Sequence, residues 1–382
     1  MTRGTQMHIP ITKPYFDEAE EQEILEVLRS GWVVQGPKVA EFECLVAEYV
    51  GASYAVATSS CTTALHVALT LHGIGAGDEV IVPSFTFIAT ANAVCYTGAT
   101  PVFVDIDPYT YNLAPDCLEA AITPRTKAIM PVHQIGLAAD MERINAIAQQ
   151  HGLIIIEDAA PALGATYKDQ RVGHLGNLTC FSFHPRKVIT SGEGGMLVTD
   201  DKTLVARARV LRAHGMSLSD LTRHQATQIM IEAYHDLGFN YRLSDLHAAV
   251  GIAQMKKLPT MLAQRQRVAE RYNIALSTLE HIQLPFSSND MPHSYQSYML
   301  QLRPSATKTR DQVMQEMLDA GIATRRGVMA VHLEPYYRQR LPHLSLPVTE
   351  IATRDTLILP NYATMTETEQ EYVIAHLQRI LG

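Results

Sequence analysis

Between residues 54 and 199, short apolar runs alternate with longer stretches of helical period. Tyr54–Thr58, Glu79–Pro83, Pro101–Asp105, Lys127–Val132, Leu153–Glu157, Cys180–Phe183 and Gly195–Thr199 are brief and rich in Val, Ile or Phe, which predicts strands. Thr62–Leu71, the stretch from Pro83 to about Tyr96, and Asp140–His151 predict helices between them. Near-continuous apolar runs such as Ile154–Ile156 fit strands covered on both faces. The alternation therefore predicts an α/β fold: a mostly parallel central sheet with helices on both faces, right-handed crossovers, and a ligand at the carboxyl ends of the strands.

Two helices are expected before this region. One is Glu18–Ser30, with Ile24, Leu25 and Leu28 on one face; the other is Val39–Val50. Six acids within Asp17–Glu26 read as a solvated face. Beyond Leu243 the pattern changes. Leu243–Leu258 and Met261–Leu279 read as two long helices, followed by a strand at Tyr298–Leu302 and helices at Arg310–Ala320 and Glu367–Leu381. This predicts a large α/β domain over 1–255 and a smaller C-terminal α+β domain over 256–382.

The chain has 382 residues, enough for two such units. Its 31 basic and 39 acidic residues leave a formal charge of −8, which argues against nucleic acid or an anionic membrane as partner. The start does not resemble a signal peptide, and the longest stretch free of both charged residues and histidine, Val80–Val104, is broken by Pro83, Gly98 and Pro101. The five cysteines (Cys44, Cys61, Cys95, Cys117 and Cys180) form no CxxC pair and read as reduced thiols, so a cytoplasmic location is expected. The histidines show no zinc-site spacing, and no metal is expected. Gly73-Ile-Gly75-Ala-Gly77 follows a predicted helix rather than a strand, which makes it a turn and not a dinucleotide motif.

Three segments at predicted strand ends carry candidate chemistry. Ser59-Ser60-Cys61-Thr62-Thr63-Ala64-Leu65 opens a helix, where free N–H groups bind anions; an ordinary N-cap by Ser60 or Thr62 is the alternative. Glu157-Asp158-Ala159-Ala160 ends a buried strand with carboxylates that need partners. In Phe181-Ser-Phe-His-Pro-Arg-Lys187-Val-Ile-Thr-Ser-Gly-Glu-Gly-Gly-Met196, Lys187 stands between buried strands, where a lysine can form a Schiff base. An anion cradle, a carboxylate and a lysine together suit pyridoxal 5'-phosphate: phosphate, ring nitrogen and aldehyde in turn. Phe87, after the second strand, is placed to cover the ring face, or is simply core.

At these positions the chain resembles the DegT/DnrJ/StrS sugar-nucleotide aminotransferases, pyridoxal-phosphate enzymes of the aspartate-aminotransferase-like fold (fold type I). The likeness runs through GDEVIVPSFTFIATANAV (77–94), GATPVFVDID (98–107), ITPRTKAIMPVH (122–133), IEDAA (156–160), FSFHPRK with GEGGM (181–196), and GFNYRLSDLHAAVGIAQ (238–254). It implies that Lys187 forms the Schiff base and then shuttles the proton. It implies that Asp158 pairs with the pyridine nitrogen and Phe87 stacks on the ring. Backbone N–H groups of Thr62 and Thr63 and the Ser182 hydroxyl would hold the phosphate. Asn240, with Arg242, would reach the cofactor phosphate of a neighbouring subunit, which requires a homodimer with shared active sites. The implied reaction moves an amino group from an amino acid, L-glutamate, to a nucleotide-linked keto-sugar, a 4-keto-6-deoxyhexose, for amino-sugar and polysaccharide biosynthesis. His184, Arg186 and His332 are candidate substrate contacts.

The chain departs from the family pattern at Cys61-Thr62-Thr63, where Gly-Thr-Ala is common. It also departs at Pro161 after EDAA, at Val188 after the lysine, and at His133-Gln134-Ile135-Gly136, which lacks the usual tyrosine. None removes a core catalytic group. Two other functions stay open on the residues alone. A pyridoxal-phosphate lyase or dehydratase would release water or ammonia without a keto acid. A non-catalytic regulatory protein of the same fold would be marked by loss of Lys187 or Asp158, and both are present.

Overall fold

The computed structural model describes residues 7–218 and 226–382. The large sheet is built from β1 (Tyr54–Thr58), β2 (Glu79–Pro83), β3 (Thr100–Val104), β4 (Thr126–Ile129), β5 (Ile154–Asp158), β8 (Leu178–Ser182) and β9 (Gly195–Thr199). A two-stranded hairpin, β6 (Thr166–Tyr167) with β7 (Gln170–Arg171), lies between β5 and β8 in sequence. The strand order is β1-β9-β8-β5-β4-β2-β3, and only β9 among these seven runs against the rest.

The continuous apolar runs follow from two covered faces. Successive strand residues point to opposite sides. Ile155 enters a core layer with Phe42, Ile144 and Phe181, whereas Ile156 enters the opposite layer with Leu65, Leu69 and Leu197. A smaller antiparallel sheet, in the order β10-β11-β13-β12, joins β10 (Ile282–Gln283), β11 (Tyr298–Leu302), β12 (Arg325–Arg326) and β13 (Thr356–Leu359). Its core includes Tyr272, Tyr298, Leu357 and Leu377, and it takes in Ile9 from the other end of the chain.

Two expectations are corrected. A single helix, Asp245–Leu276, replaces the predicted pair, and Pro259 lies within it. Proline lacks the N–H for its turn, but Leu258, Met261, Arg265 and Val268 on either side are buried, and this packing carries the helix through. In helix Glu18–Ser30 the inward face is Glu20 and Val27, while Leu25 and Leu28 are exposed. Glu20 is drawn inward because Gln254 Nε2 donates to its carboxylate at 2.6 Å and Lys257 Nζ lies 2.6 Å away. Glu23 pairs with Lys38 and Lys256. Those acids therefore form an ion-pair seam against the long helix as well as a solvated surface.

The long helix fastens distant parts of the chain. Helix Pro37–Val50 begins at Gly36, which has no capping side chain. Asp245 supplies the missing acceptor: its carboxylate takes hydrogen bonds from the amides of Gly36 (2.8 Å), Val39 (3.0 Å) and Lys38 (3.2 Å). Twenty residues on, the buried guanidinium of Arg265 donates to the carbonyls of Asn361 (2.8 Å), Gln296 (3.2 Å) and Tyr295 (3.5 Å). Burial lowers its pKa to about 10.

Candidate active site

A cavity of about 400 Å³ opens at the carboxyl ends of β1, β2, β5 and β8. Its far wall comes from the small sheet, through Arg325, Arg326, Ile358 and Leu359. The strand ends bring together Thr62, Phe87, Asp158, Ser182, His184, Arg186 and Lys187 from the sequence candidates.

The turn after β1 leads into helix Cys61–Leu71. Ser60 is the N-cap: its hydroxyl accepts from Thr63 N at 3.2 Å, and Thr63 Oγ1 accepts from Ser60 N at 3.0 Å. Thr63 is thus absorbed by the cap and does not line the cavity. The amides of Cys61 and Thr62 precede the helical hydrogen-bond ladder, and both residues line the cavity. Gly195, at the start of β9, passes directly behind this turn. A Cβ there would lie 2.3 Å from the Ser60 carbonyl carbon, so only glycine allows the approach.

At the end of β5, two adjacent carboxylates have different surroundings. Glu157 points into the core, where its Oε1 accepts from Thr179 Oγ1 and Gly176 N, both at 2.7 Å. Its Oε2 lies 2.8 Å from His133 Nε2. Ala139 N donates to His133 Nδ1 at 3.0 Å, which assigns the ring proton to Nε2. Glu157 is therefore a satisfied structural group. Asp158 instead lines the cavity. Its Oδ1 accepts from Ala160 N at 3.1 Å and its Oδ2 from Thr90 Oγ1 at 2.7 Å. Thr86 Oγ1 lies 2.7 Å from Thr90 Oγ1, which completes a hydroxyl chain to the carboxylate.

Lys187 sits in the return between β8 and β9. The ends of this loop are tied: Phe183 N donates to Gly194 O at 2.9 Å and Ser191 N to Phe183 O at 3.0 Å. Inside it, Lys187 N donates to His184 O at 2.8 Å. The lysine lines the cavity, and its withdrawal from water pushes its pKa below the usual lysine value. The Asp158 carboxylate opposes that shift, while Arg186 adds to it.

Phe87 is 59 % exposed on the cavity rim. His184 Nδ1 accepts from Arg186 N at 3.2 Å, and burial lowers the pKa of the ring. His332 does not line the cavity: it is buried, with Nδ1 2.6 Å from Ser84 Oγ. Asn240 is exposed and outside the cavity, although the carbonyl of its neighbour Tyr241 accepts from Ser59 N at 2.8 Å beside the turn that opens helix Cys61–Leu71. Of the departures, Cys61, Gln134, Ile135 and Pro161 line the cavity, whereas Val188 is buried in the core.

Sequence reasoning missed Thr86 and Thr90: Thr90 lies in the first turn of helix Ala89–Tyr96 and Thr86 in the loop before it, so no helical spacing marks the pair. It also missed Gln296, Arg325, Arg326 and Asn361, which line the cavity from the far end of the chain. No local pattern marks them.

The donor set suits pyridoxal 5'-phosphate. Helix N-terminal amides, a cavity hydroxyl at Ser182, an anchored carboxylate and a half-buried lysine converge on one space. The comparisons agree. The chain is 42% identical over 375 residues to GDP-perosamine synthase of Caulobacter vibrioides, covering 98% of each chain. It is 41% identical over 377 residues to the spore coat polysaccharide biosynthesis protein SpsC of Bacillus subtilis, covering 98% of this chain and 97% of that one. Among solved structures, the sugar aminotransferase Spr1654 of Streptococcus pneumoniae, assigned as putative and captured in its PMP form, superposes with a TM-score of 0.92 at 28% identity, covering 98% of this chain and 99% of that one. Pyridoxal 5'-phosphate is the cofactor, and the chain is an aminotransferase. Residues 14–378 match one family throughout, and the chain belongs to the DegT/DnrJ/EryC1/StrS aminotransferase family.

Proposed function

We propose that the protein transfers an amino group from L-glutamate to the ketone of a nucleotide-linked 4-keto-6-deoxyhexose. The observation that carries this reading is the convergence of Lys187 and Asp158 in one cavity, in a chain 42% identical to a protein whose name joins a nucleoside diphosphate to an amino sugar. The product would be an amino-sugar nucleotide for a surface polysaccharide, the context that the name of the Bacillus relative also carries. Overall, the amino acid becomes a keto acid and the keto-sugar an amino sugar, so no outside oxidant or reductant is needed.

When bound, pyridoxal 5'-phosphate supplies an aldehyde carbon and a ring that withdraws electrons from the reacting carbon. The chain's own residues do the rest. The Cys61 and Thr62 amides and the Ser182 hydroxyl would bind the phosphate, aided by the positive end of the helix dipole. Asp158 would hold a proton on the ring nitrogen, and Thr90 fixes the carboxylate for that contact. Phe87 would bound one ring face. Lys187 would hold the aldehyde carbon and, once displaced by the incoming amine, carry the proton between the two carbons that gain and lose it. Its lowered pKa favours the neutral amine that can accept that proton.

We place the working unit as a cytoplasmic homodimer with shared active sites. Asn240, exposed on the same segment as Tyr241, would reach a neighbouring subunit's cofactor phosphate, with Arg242 assisting. The 1–255 and 256–382 division remains a proposal for two packing units rather than two separable fragments, because helix Asp245–Leu276 runs across the boundary. His184 and Arg186 remain candidate substrate contacts at the cavity wall.

The test is a panel of nucleotide keto-sugars offered with L-glutamate, with products read by mass and NMR. An amino-sugar nucleotide formed together with 2-oxoglutarate supports the reading. Release of water or ammonia without a keto acid would replace it with a lyase.

A further inference from the structure

We infer that His332 is a positioning residue for the cofactor ring, acting through Ser84 rather than touching substrate. The inference rests on Phe87 and Asp158 serving the ring as proposed above.

The segment after β2, residues 84–90, carries everything the cavity presents to the ring from that side. Phe87 lies on the rim, and the Thr86–Thr90 hydroxyl chain ends on Asp158 Oδ2. This strap is held from outside the large sheet by residues 329–332. Val331 N donates to Ser84 O at 2.8 Å and Thr86 N to Met329 O at 3.3 Å, with Phe85 opposite Ala330. Main-chain bonds of this kind carry no sequence information. They would be remade after a slip of two residues, which would carry Phe87 away from the cavity.

One side-chain pair fixes the register. Ser84 Oγ accepts from His332 N at 3.0 Å and lies 2.6 Å from His332 Nδ1. Burial favours the neutral imidazole, and its Nε2 faces a carboxylate oxygen, which places the ring proton there and leaves Nδ1 to accept from the Ser84 hydroxyl. Nε2 lies 3.4 Å from Glu350 Oε1, and that carboxylate is held by Leu346 N at 3.0 Å and Ser345 Oγ at 3.1 Å. Ser84 and His332 are both buried, and His332 stands behind the cavity wall. A Ser-His-Glu array usually suggests a hydrolytic nucleophile. Here the serine is wholly enclosed, and its oxygen already receives a main-chain N–H. The array is a latch: it runs from Glu350, through His332, to the first residue of the strap.

The test compares Ser84→Ala, His332→Leu and His332→Asn, with Phe87→Ala as reference. Asparagine places an acceptor where Nδ1 stands, and leucine does not. The readouts are the dissociation constant of pyridoxal 5'-phosphate, the circular dichroism induced in its bound visible band, and thermal melting of the cofactor-free protein. Ser84→Ala and His332→Leu are expected to weaken cofactor binding about tenfold, as for loss of one buried hydrogen bond, and to diminish the induced band. His332→Asn should restore both, and the Ser84→Ala/His332→Leu double variant should be no worse than either single. Unchanged binding and band in Ser84→Ala overturn the latch. So do equal losses in His332→Leu and His332→Asn, or losses that only track melting. If Phe87→Ala leaves the band unchanged, the assignment of Phe87 to the ring fails instead.

Discussion

Thr90 Oγ1 donates to Asp158 Oδ2 across 2.7 Å, and Thr86 Oγ1 stands 2.7 Å behind it. The carboxylate that faces the cavity is therefore aimed by a hydroxyl from the segment that follows β2. Thr90→Val keeps the shape and removes the donor. Loss of a hydrogen bond to a charged group costs about 1.5–3 kcal/mol, so cofactor affinity should fall by about ten- to a hundredfold. Thr90→Ser should recover most of it. Titration of the apo-protein with pyridoxal 5'-phosphate reads both, and equal affinity in Thr90→Val would remove Thr90 from the site.

Lys187 should react with the cofactor at lower pH than an ordinary lysine. The neutral amine is the reactive form, and burial lowers its pKa from 10.5. The capture rate should therefore rise with pH through a midpoint below that value. Asp158 favours the ammonium, so Asp158→Asn should move the midpoint further down. Stopped-flow mixing of the apo-protein with cofactor across pH measures this, and a midpoint at or above 10.5 would contradict it. Lys187→Ala should lose turnover by about a thousandfold or more, the scale of a lost acid–base group.

Gly195→Ala should damage the turn proposed to hold the phosphate, without replacing any side chain that lines the cavity. The new methyl would sit 2.3 Å from Ser60 and 2.5 Å from Cys61 N, both main-chain atoms that cannot rotate away. Overpacking of this kind costs about 1–3 kcal/mol. A lower melting temperature with weakened cofactor binding is the expected pair of results. Wild-type affinity would show that the turn does not hold the phosphate.

Much of this arrangement was legible in the sequence. The strands at Tyr54–Thr58, Glu79–Pro83 and Gly195–Thr199 match their predicted bounds because a doubly covered sheet imposes a local apolar signal. Lys187, Asp158 and Thr62 share a cavity because each ends or follows such a strand. What local pattern could not show is non-local. Asp245 caps a helix that begins 208 residues earlier, at Pro37. Glu20 is turned inward by Gln254 and Lys257, so the leucines beside it lose the buried face. Helix Asp245–Leu276 continues through Pro259 because tertiary packing outweighs the local break.

Arg265 is buried with carbonyl oxygens as its partners. Arg265→Met would take the guanidinium from the carbonyls of Gln296 and Asn361, while Tyr295 O keeps Asn361 Nδ2 at 3.1 Å, for a loss of about 2–4 kcal/mol. Arg265→Lys should recover little, since an ammonium lacks the planar fork. Urea denaturation reads the difference. A stabilised Arg265→Met would mean that the cost of burying the charge exceeds the worth of its hydrogen bonds.

Helix Asp245–Leu276 spans about 48 Å at 1.5 Å per residue. It holds residues 36–39 near its start and residues 295–296 and 361 through Arg265. Reconstitution from two separately produced fragments would therefore depend on where the chain is divided. A cut at 255 would sever the rod between its two attachment points and leave each fragment with a frayed end. A cut in the stretch between β10 and β11 would leave the rod whole on the first fragment, with Arg265 as the plug that the second fragment's carbonyls must find.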